Sequence, residues 1–141
     1  MAGKRLNKIQ IFTLLIGFFA IMLPLIIGHY KDYKFRKKLM EDSIIVSGNI
    51  SGFDKTYKRA DALKYDFEYN RKKYKKIGNS NGKSSDYEAI YKYVINRTFP
   101  VLINKINPQE YSKLLVVPED FQEYGLPFPD SLKWILKYIN R

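Results

Sequence analysis

Carboxylates are the side chains in this sequence with the widest scope for acid–base chemistry. The pair Glu119-Asp120 and the single Asp130 each follow a proline and precede apolar residues, a pattern typical of helix starts. Asp66 and Glu68 alternate with aromatic residues, so we expect both to face solvent. The sequence therefore predicts no catalytic cluster and a protein that is not an enzyme.

Histidine and cysteine offer little further chemistry. The chain has one histidine, His29, and no cysteine, which excludes disulfides, thiolate nucleophiles and thiolate metal sites and leaves too little for a histidine triad. Gly82-Lys83-Ser84 resembles the end of a phosphate-binding loop, but Ile77 stands where that loop requires glycine. We therefore predict no metal and no cofactor.

Basic side chains dominate the charge, with 25 Lys and Arg against 14 Asp and Glu and a formal net charge of +11. Cations near a bilayer attract anionic lipid headgroups by ~1 kcal/mol each, and cations with aromatic rings also bind single-stranded nucleic acid. A solvated basic hairpin is the third interpretation. The candidate contacts for anionic lipid or a protein partner are Lys34, Arg36, Lys37, Lys38, Arg71, Lys72, Lys73, Lys75 and Lys76, with Tyr57-Lys58-Arg59 nearby in the sequence.

An uncharged segment near the N-terminus favours lipid over nucleic acid. The 20 residues Ile9–Gly28 carry no charge, and as a helix they would extend ~30 Å, the thickness of the hydrocarbon core. A cleaved signal peptide would have a shorter apolar run and a small-residue cleavage site, which Ile26–Tyr30 does not offer. We therefore predict a single transmembrane helix in the cell membrane.

The flanking charges bear on orientation. Three basic residues precede the span, and five follow it closely, at Lys31, Lys34, Arg36, Lys37 and Lys38. The positive-inside rule slightly favours a cytoplasmic C-terminal domain and leaves the exterior side open. We predict a basic tail at 1–8, a transmembrane helix at 9–28, a basic juxtamembrane segment at 29–42 that continues the helix through Lys31–Glu41, and a soluble domain at 43–141.

Alternation of apolar and polar residues is the clearest strand signal in the soluble domain. Leu63, Tyr65, Phe67 and Tyr69 are separated by charged residues, which predicts a strand with aromatic residues inward. Asn70-Arg71 would turn this strand into another. The other predicted strands are Ile44-Ile45-Val46 with Ile50, where Gly48 and Gly52 are bulge or bend positions, then Lys72–Ile77, Phe99–Ile103 and Lys113–Val117.

Helices and loops are predicted between and after these strands. We expect a short inserted helix at Asp86–Asn96, a helical turn from Pro118 and a C-terminal helix opened by Pro129-Asp130-Ser131, with Asp130 or Ser131 as its cap. Its apolar stripe is Leu132, Ile135, Leu136 and Ile139. Polar turns or loops are predicted at Asp54–Ala60, Gly78–Ser85 and Asn107-Pro108.

These elements predict an α+β fold with one transmembrane helix, followed by a small antiparallel β-barrel or curled sheet with a short inserted helix and a C-terminal helix.

The strand motifs carry a resemblance. Ser47–Ile50, Tyr65–Tyr69 with Tyr74, Phe99–Ile103 and Asn107-Pro108 resemble short bacterial membrane-anchored small β-barrel proteins of unknown function, which read Gly-x-Val/Ile, Tyr-x-Phe, Pro-Val-x-Tyr and Asn-Pro over about residues 44–117. The resemblance implies a small barrel and transfers no catalytic residue. Ile103 replaces a usual aromatic residue, Asn70-Arg71-Lys72 replaces a glycine-containing turn, and the C-terminal helix is an extension.

Three functions are compatible with these features. The leading hypothesis is a membrane-anchored, non-enzymatic interaction domain that binds another membrane-associated protein. The first alternative is an immunity or inhibitor protein against a toxin that acts at the membrane. The second is a small barrel that binds nucleic acid. The membrane anchor makes nucleic acid a less favoured partner than lipid.

Overall fold

The computed structural model describes residues 8–54, 62–79 and 92–138. The chain divides into two compact units, residues 1–37 and 38–141, and each is described by itself. The elements, in chain order, are helix α1 (Lys8–Met40), strands β1 (Ser43–Asp54), β2 (Ala62–Tyr69), β3 (Lys72–Asn79), β4 (Thr98–Asn104) and β5 (Ser112–Leu114), helix α2 (Pro118–Glu123) and a 3₁₀ helix (Asp130–Lys137).

Helix α1 is one element of 33 residues that includes Pro24 in its interior. Its segment Phe12–Met40 is long and apolar enough to cross a membrane. The large apolar side chains are exposed, with Phe12 at 65% and Ile21 at 67%, as suits a helix surrounded by lipid rather than by protein. The predicted helical continuation beyond Gly28 is confirmed as far as Met40.

The second unit is built on a five-stranded antiparallel sheet with the order β3-β2-β1-β4-β5. The predicted α+β class is confirmed, and of the two predicted forms the curled sheet is the one observed, because the strands curl into a half-barrel whose edge strands β3 and β5 approach each other. At this approach Lys76 Nζ donates a hydrogen bond of 2.7 Å to the carbonyl oxygen of Gln109.

The concave face of the sheet holds the core. The predicted alternation in β2 is confirmed, since Leu63, Tyr65 and Phe67 are buried while Lys64 and Glu68 are exposed. From the neighbouring strands the same face adds Ile50, Tyr74, Phe99, Val101 and Ile103, all buried. Tyr65 Oη lies 3.4 Å from Ser112 Oγ, and burial raises the pKa of Tyr65 to about 12.

The glycines of β1 have different roles. The register of β1 against β2 shifts between Ile50 and Gly52, so the predicted bulge is confirmed at Gly52. Gly48 was the second predicted bulge or bend position, and it holds no bulge, because it lies in regular register opposite Phe67 and Phe99. A Cβ atom at Gly48 would overlap Val101 Cγ2 and lie 3.2 Å from the Asp66 carbonyl oxygen.

The predicted Asn70-Arg71 turn is confirmed and joins β2 to β3 directly. Both residues have positive φ, 51° at Asn70 and 60° at Arg71. Two consecutive residues in this conformation are typical of the type I′ turn, whose twist matches that of the flanking strands. The turn fixes the register in which Tyr69 faces Lys72 and Phe67 faces Tyr74.

Several predicted elements differ from the structure in extent. The last strand ends at Leu114 instead of Val117. The carbonyl oxygen of Pro100 on β4 accepts a hydrogen bond of 2.9 Å from the Leu115 N–H. Because proline has no N–H to donate in return, the ladder does not continue. Gly78 and Asn79, predicted as loop, belong to β3, while residues 80–85 of that loop lie outside the described residues. Asp54, predicted to begin a turn, ends β1, and residues 55–60 also lie outside them.

The helical predictions are also modified. Of the predicted Asp86–Asn96 helix, Lys92–Val94 are helical, Ile95 and Asn96 form a turn and residues 86–91 lie outside the described part. The predicted C-terminal helix is a 3₁₀ helix preceded by Pro129, which has no side-chain capping bond, so the predicted cap at Asp130 or Ser131 is wrong. Leu132 and Ile135 are buried as predicted, and Ile139 lies outside the described residues.

Asn104 connects the end of α1 to the sheet within the second unit. Its Nδ2 donates to the carbonyl oxygen of Lys38 at 2.8 Å and to that of Glu41. Its Oδ1 accepts from the backbone N–H groups of Ile106 and Asn107, each at 2.9 Å. Because helix carbonyls near a C-terminus have no partner inside the helix, this one buried amide closes the helix end and shapes the turn after β4.

Candidate basic groove along strand β3

The basic residues of the β2–β3 hairpin lie on both faces of the sheet. Neighbouring residues of a strand point to opposite sides, so Lys73 and Lys75 share the outer face with their register partners Glu68 and Asp66. Lys72 and Lys76 point to the concave face, which they share with the buried Tyr74. The fold therefore does not bring the whole basic run onto one surface.

The outer-face cations are partly matched by carboxylates. Lys73 Nζ forms an ion pair with Asp66 Oδ2, and Lys64 Nζ lies 3.8 Å from Asp54 Oδ2. The lysine side chains are 62% and 48% exposed, whereas those of Asp66 and Asp54 are 14% and 11% exposed. The carboxylates are therefore held near the sheet while the amines extend into solvent.

The concave-face cations have different surroundings. Lys72 Nζ lies 5.3 Å from the centre of the Tyr74 ring, within the range of a cation–π contact. Lys76 is half-buried and donates to the Gln109 carbonyl oxygen, and burial lowers the pKa of Lys76. A partly buried amine that donates to a neutral carbonyl oxygen would be stabilised more by an anionic acceptor.

Four lysines and one carboxylate line an open groove beside β3. Its volume is about 730 Å³. We call it the β3 groove, and its lining residues are Ser51, Lys64, Tyr65, Asp66, Lys73, Lys75, Lys76, Ile77 and Gln109. Ile77 is 51% exposed, so the groove combines an excess of positive charge with one apolar contact.

The backbone groups of β3 alternate between the side facing β2 and the opposite side of the strand. In a type I′ turn the N–H of the last residue bonds to the carbonyl of the first, which directs the Lys72 N–H towards β2. Alternation along an antiparallel pair then directs the backbone N–H and C=O of Lys73, Lys75 and Ile77 away from β2. In the described part of the chain, β3 has a hydrogen-bonded neighbour on one side.

The predicted contact residues are thus divided among three places. Lys73, Lys75 and Lys76 meet in the β3 groove, whereas Arg71 lies in the turn and Lys72 lies over Tyr74. The remaining four, Lys34, Arg36, Lys37 and Lys38, are exposed on α1; Lys38 Nζ pairs with Glu41 Oε2 at 2.8 Å. Tyr57-Lys58-Arg59 lies outside the described residues.

The fold also assembles a cluster of aromatic rings and cations that the sequence did not predict. Tyr93 and Tyr138 stack with ring centres 4.1 Å apart, and Arg97 lies 4.5 Å from the centre of the Trp134 ring. Trp134 also contacts Tyr138 edge to face at 6.3 Å. Residues this distant in the sequence share no periodic pattern, so no local signal indicates the contact.

The carboxylates considered for catalysis are either hydrogen-bonded within the fold or exposed to solvent. Asp120 is buried, and its Oδ2 accepts from the backbone N–H groups of Val116 at 2.9 Å and Val117 at 3.1 Å. Glu119 and Asp130 are exposed, and a hydrogen bond from Lys133 lowers the pKa of Asp130. Within residues 8–54, 62–79 and 92–138, no group of three or more His, Cys, Asp or Glu side chains could hold a metal ion.

Comparison with known proteins identifies no relative: no family model, curated protein sequence or solved structure matches this chain.

Proposed function

We propose that this protein is a membrane-anchored, non-enzymatic interaction protein whose soluble unit binds another membrane-associated protein. The observation that carries the proposal is the β3 groove, which brings together four lysines from β2 and β3. Complementary charge is a means of recognising a protein partner. The partner surface should therefore be acidic.

The anchor supports a partner in the same membrane. Helix α1 includes a 29-residue segment that is apolar and long enough to span, and we propose that it crosses the cell membrane once. A tethered domain and a tethered partner meet at a raised effective concentration, so a modest groove suffices for useful binding.

The aromatic residues of the hairpin do not favour the nucleic-acid alternative. Tyr65, Phe67 and Tyr74 are buried in the core, whereas binding of single strands by stacking requires exposed rings. Anionic lipid remains a contact that we propose for Lys34, Arg36, Lys37 and Lys38, which follow the uncharged residues Ile9–Gly28 along the chain.

In-cell photocrosslinking tests the proposed function. A photoreactive amino acid replaces Ile77 in the β3 groove in the full-length protein, and in the control it replaces Lys133 on the 3₁₀ helix. We expect a discrete light-dependent adduct with a membrane protein from position 77 and a much weaker one from position 133. Equal adducts from both positions, or turnover by the purified protein that a single side-chain change abolishes, would contradict the proposal.

The side of the membrane is tested separately. Three basic residues before the span and five after it slightly favour a cytoplasmic soluble unit, which is the side that we propose. A topology reporter fused after Arg141 should therefore give a cytoplasmic signal. An exterior signal would reverse the orientation while leaving the β3 groove available to a partner on that side.

A further inference from the structure

A second surface, separate from the β3 groove, combines an arginine with half-exposed aromatic rings. On the basis of the proposed function, we infer that this surface docks a carboxylate side chain of the membrane-associated partner, with Arg97 as the anchor. We call it the Arg97 patch, and it consists of Tyr93, Arg97, Trp134 and Tyr138, bordered by Lys92 and Lys137. None of these six residues lines the β3 groove.

The guanidinium of Arg97 is held by an aromatic ring. Its central carbon Cζ lies 4.5 Å from the centre of the Trp134 ring, while Arg97 as a whole is exposed. Within residues 8–54, 62–79 and 92–138, no carboxylate forms an ion pair with it. A guanidinium over an aromatic face keeps its N–H donors available, and their fork geometry matches the two oxygens of a carboxylate.

The Trp134 ring that holds Arg97 is fixed by other rings. Its centre lies 6.4 Å from the ring centre of Phe99, which is buried in the core. Tyr138 contacts Trp134 edge to face at 6.3 Å and stacks on Tyr93 at 4.1 Å. These rings connect the core to the surface and limit the positions that Arg97 can adopt. A side chain that is ordered before binding loses less conformational entropy when the partner binds.

The residue types of the patch are those that dominate the binding energy of protein interfaces. Tryptophan, tyrosine and arginine are enriched among interface hot spots, whereas lysine is depleted in interfaces. The β3 groove supplies lysines, and the Arg97 patch supplies all three of the enriched types. The groove therefore attracts an acidic partner by charge, and the patch anchors it.

Charge and position identify the occupant. Lys92, Arg97 and Lys137 are exposed, so an acidic group complements the patch. Arg97 directly precedes β4, whereas Asn104 at the other end of β4 bonds the last turn of α1. The seven residues of β4 extend over ~23 Å. The patch thus lies at the far end of β4 from that helix turn, which favours a protein carboxylate over the phosphate of a lipid beside the anchor.

A fluorine label on the single tryptophan tests the site directly. The chain has one tryptophan, so fluorotryptophan gives one fluorine NMR resonance, from the ring next to Arg97. The protein is the full chain in nanodiscs of uncharged phosphatidylcholine. The probes are acetyl-Leu-Glu-Leu-amide and its matched control acetyl-Leu-Gln-Leu-amide. We expect a saturable shift whose apparent Kd is at least about five-fold lower for the Glu probe, because a charged acceptor forms the stronger hydrogen bond.

Arg97→Lys separates the planar guanidinium from its charge. Lysine keeps the charge but lacks the fork, so the preference for the Glu probe should fall below about two-fold. The matched control Arg71→Lys makes the same change in the β2–β3 turn and should keep the full preference. An undiminished preference in Arg97→Lys would overturn the inference. A native chain that binds both probes equally would do so as well, and that result depends on no variant.

Other occupants of the patch give distinct results. The alternative probes are nanodiscs of anionic phosphatidylglycerol and single-stranded oligothymidine. If either one shifts the fluorine resonance in an Arg97-dependent manner while the Glu probe does not, the patch binds phosphate and the inference is wrong.

Crosslinking in cells connects the patch to the partner. Arg97→Lys should reduce the light-dependent adduct from position 77 at least about three-fold, and Arg71→Lys should leave it unchanged. An adduct that Arg97→Lys leaves unchanged contradicts this inference while the proposed function stands. If position 77 gives no adduct at all, the proposed function fails, and a preference for the Glu probe would then show a carboxylate site that does not serve a membrane-associated partner.

Discussion

The side chain of Asn104 connects three separate segments of the second unit. Its amide bonds the carbonyl oxygens of Lys38 and Glu41 and the N–H groups of Ile106 and Asn107. Replacing it by alanine removes all four bonds in a buried position, so Asn104→Ala should lower the free energy of unfolding by about 2–3 kcal/mol. Urea unfolding monitored by the single tryptophan, Trp134, measures this.

Asn107 provides the control for that measurement. Its Nδ2 donates to Glu110 Oε2 at 2.8 Å in an exposed position, so Asn107→Ala should cost less than about 1 kcal/mol. If both variants lost the same stability, the buried amide would have no special role in this fold.

Gly48 is constrained by packing rather than by backbone conformation. A methyl group there overlaps Val101 Cγ2 and approaches the Asp66 carbonyl oxygen at 3.2 Å, so Gly48→Ala should cost about 1–3 kcal/mol. Adding Val101→Ala should recover part of the loss, because it removes the overlapping methyl group. Gly52→Ala, whose added atom would lie 3.7 Å from Lys64 Cδ, should be nearly neutral in the same unfolding assay.

For single residues, the sequence predicted the structural role only where neighbours along the chain determine it. The alternation of β2 indicated which of its side chains are buried, because the period of a strand assigns each residue to a face. Asn104 was not predicted, since its helix partner Lys38 lies 66 positions away. Gly48 was interpreted as a bend because the sequence does not show that Val101 lies against it.

Among the elements, the β2–β3 hairpin has a turn whose residues are not ideal for its geometry. Arg71 has a φ of 60°, a conformation that costs a non-glycine residue roughly 1 kcal/mol. Arg71→Gly should therefore stabilise the unit by about 0.5–1 kcal/mol. Urea unfolding measures the change, and Arg71→Ala, which removes the same charge but keeps the steric conflict, is the matched control.

The same variants examine a predicted contact residue. Arg71 does not line the β3 groove, so Arg71→Gly should give the same light-dependent adduct from position 77 as the otherwise native chain does. A large loss of binding would instead show that the turn contributes to the contact surface.

Among the elements, β2 was predicted from its alternating pattern close to its observed bounds. The Asn70-Arg71 turn and β4 were also predicted close to their observed bounds, although neither has an alternating pattern. The last strand was overestimated, because the continuous apolar run Leu114–Val117 has no period and is equally compatible with a buried irregular segment. The basic residues Arg71, Lys72, Lys73, Lys75 and Lys76 were predicted together as candidate contacts, but neighbouring residues of the strand alternate between the two faces of the sheet once the register is fixed.

For the whole molecule, membrane integration is the property with the clearest test. The native chain should remain in the membrane fraction after alkaline carbonate extraction, with the full mass of 16.7 kDa. Ile16→Arg with Phe19→Arg should release it, because each arginine near the centre of a span costs about 2.5–3.5 kcal/mol. The control Tyr30→Arg with Tyr33→Arg places the charges near the interface and should remain integrated. A product shortened at its N-terminus would contradict an uncleaved anchor.

The charge of the β3 groove has a consequence for encounters between copies of this protein. Chains confined to one membrane meet often, and two such grooves brought together would repel each other, because each is lined by four lysines and one aspartate. An acidic surface would be attracted instead. The charges therefore select unlike partners over self-assembly. A variant without these lysines would lose both its acidic partner and this protection against pairing with its own copies.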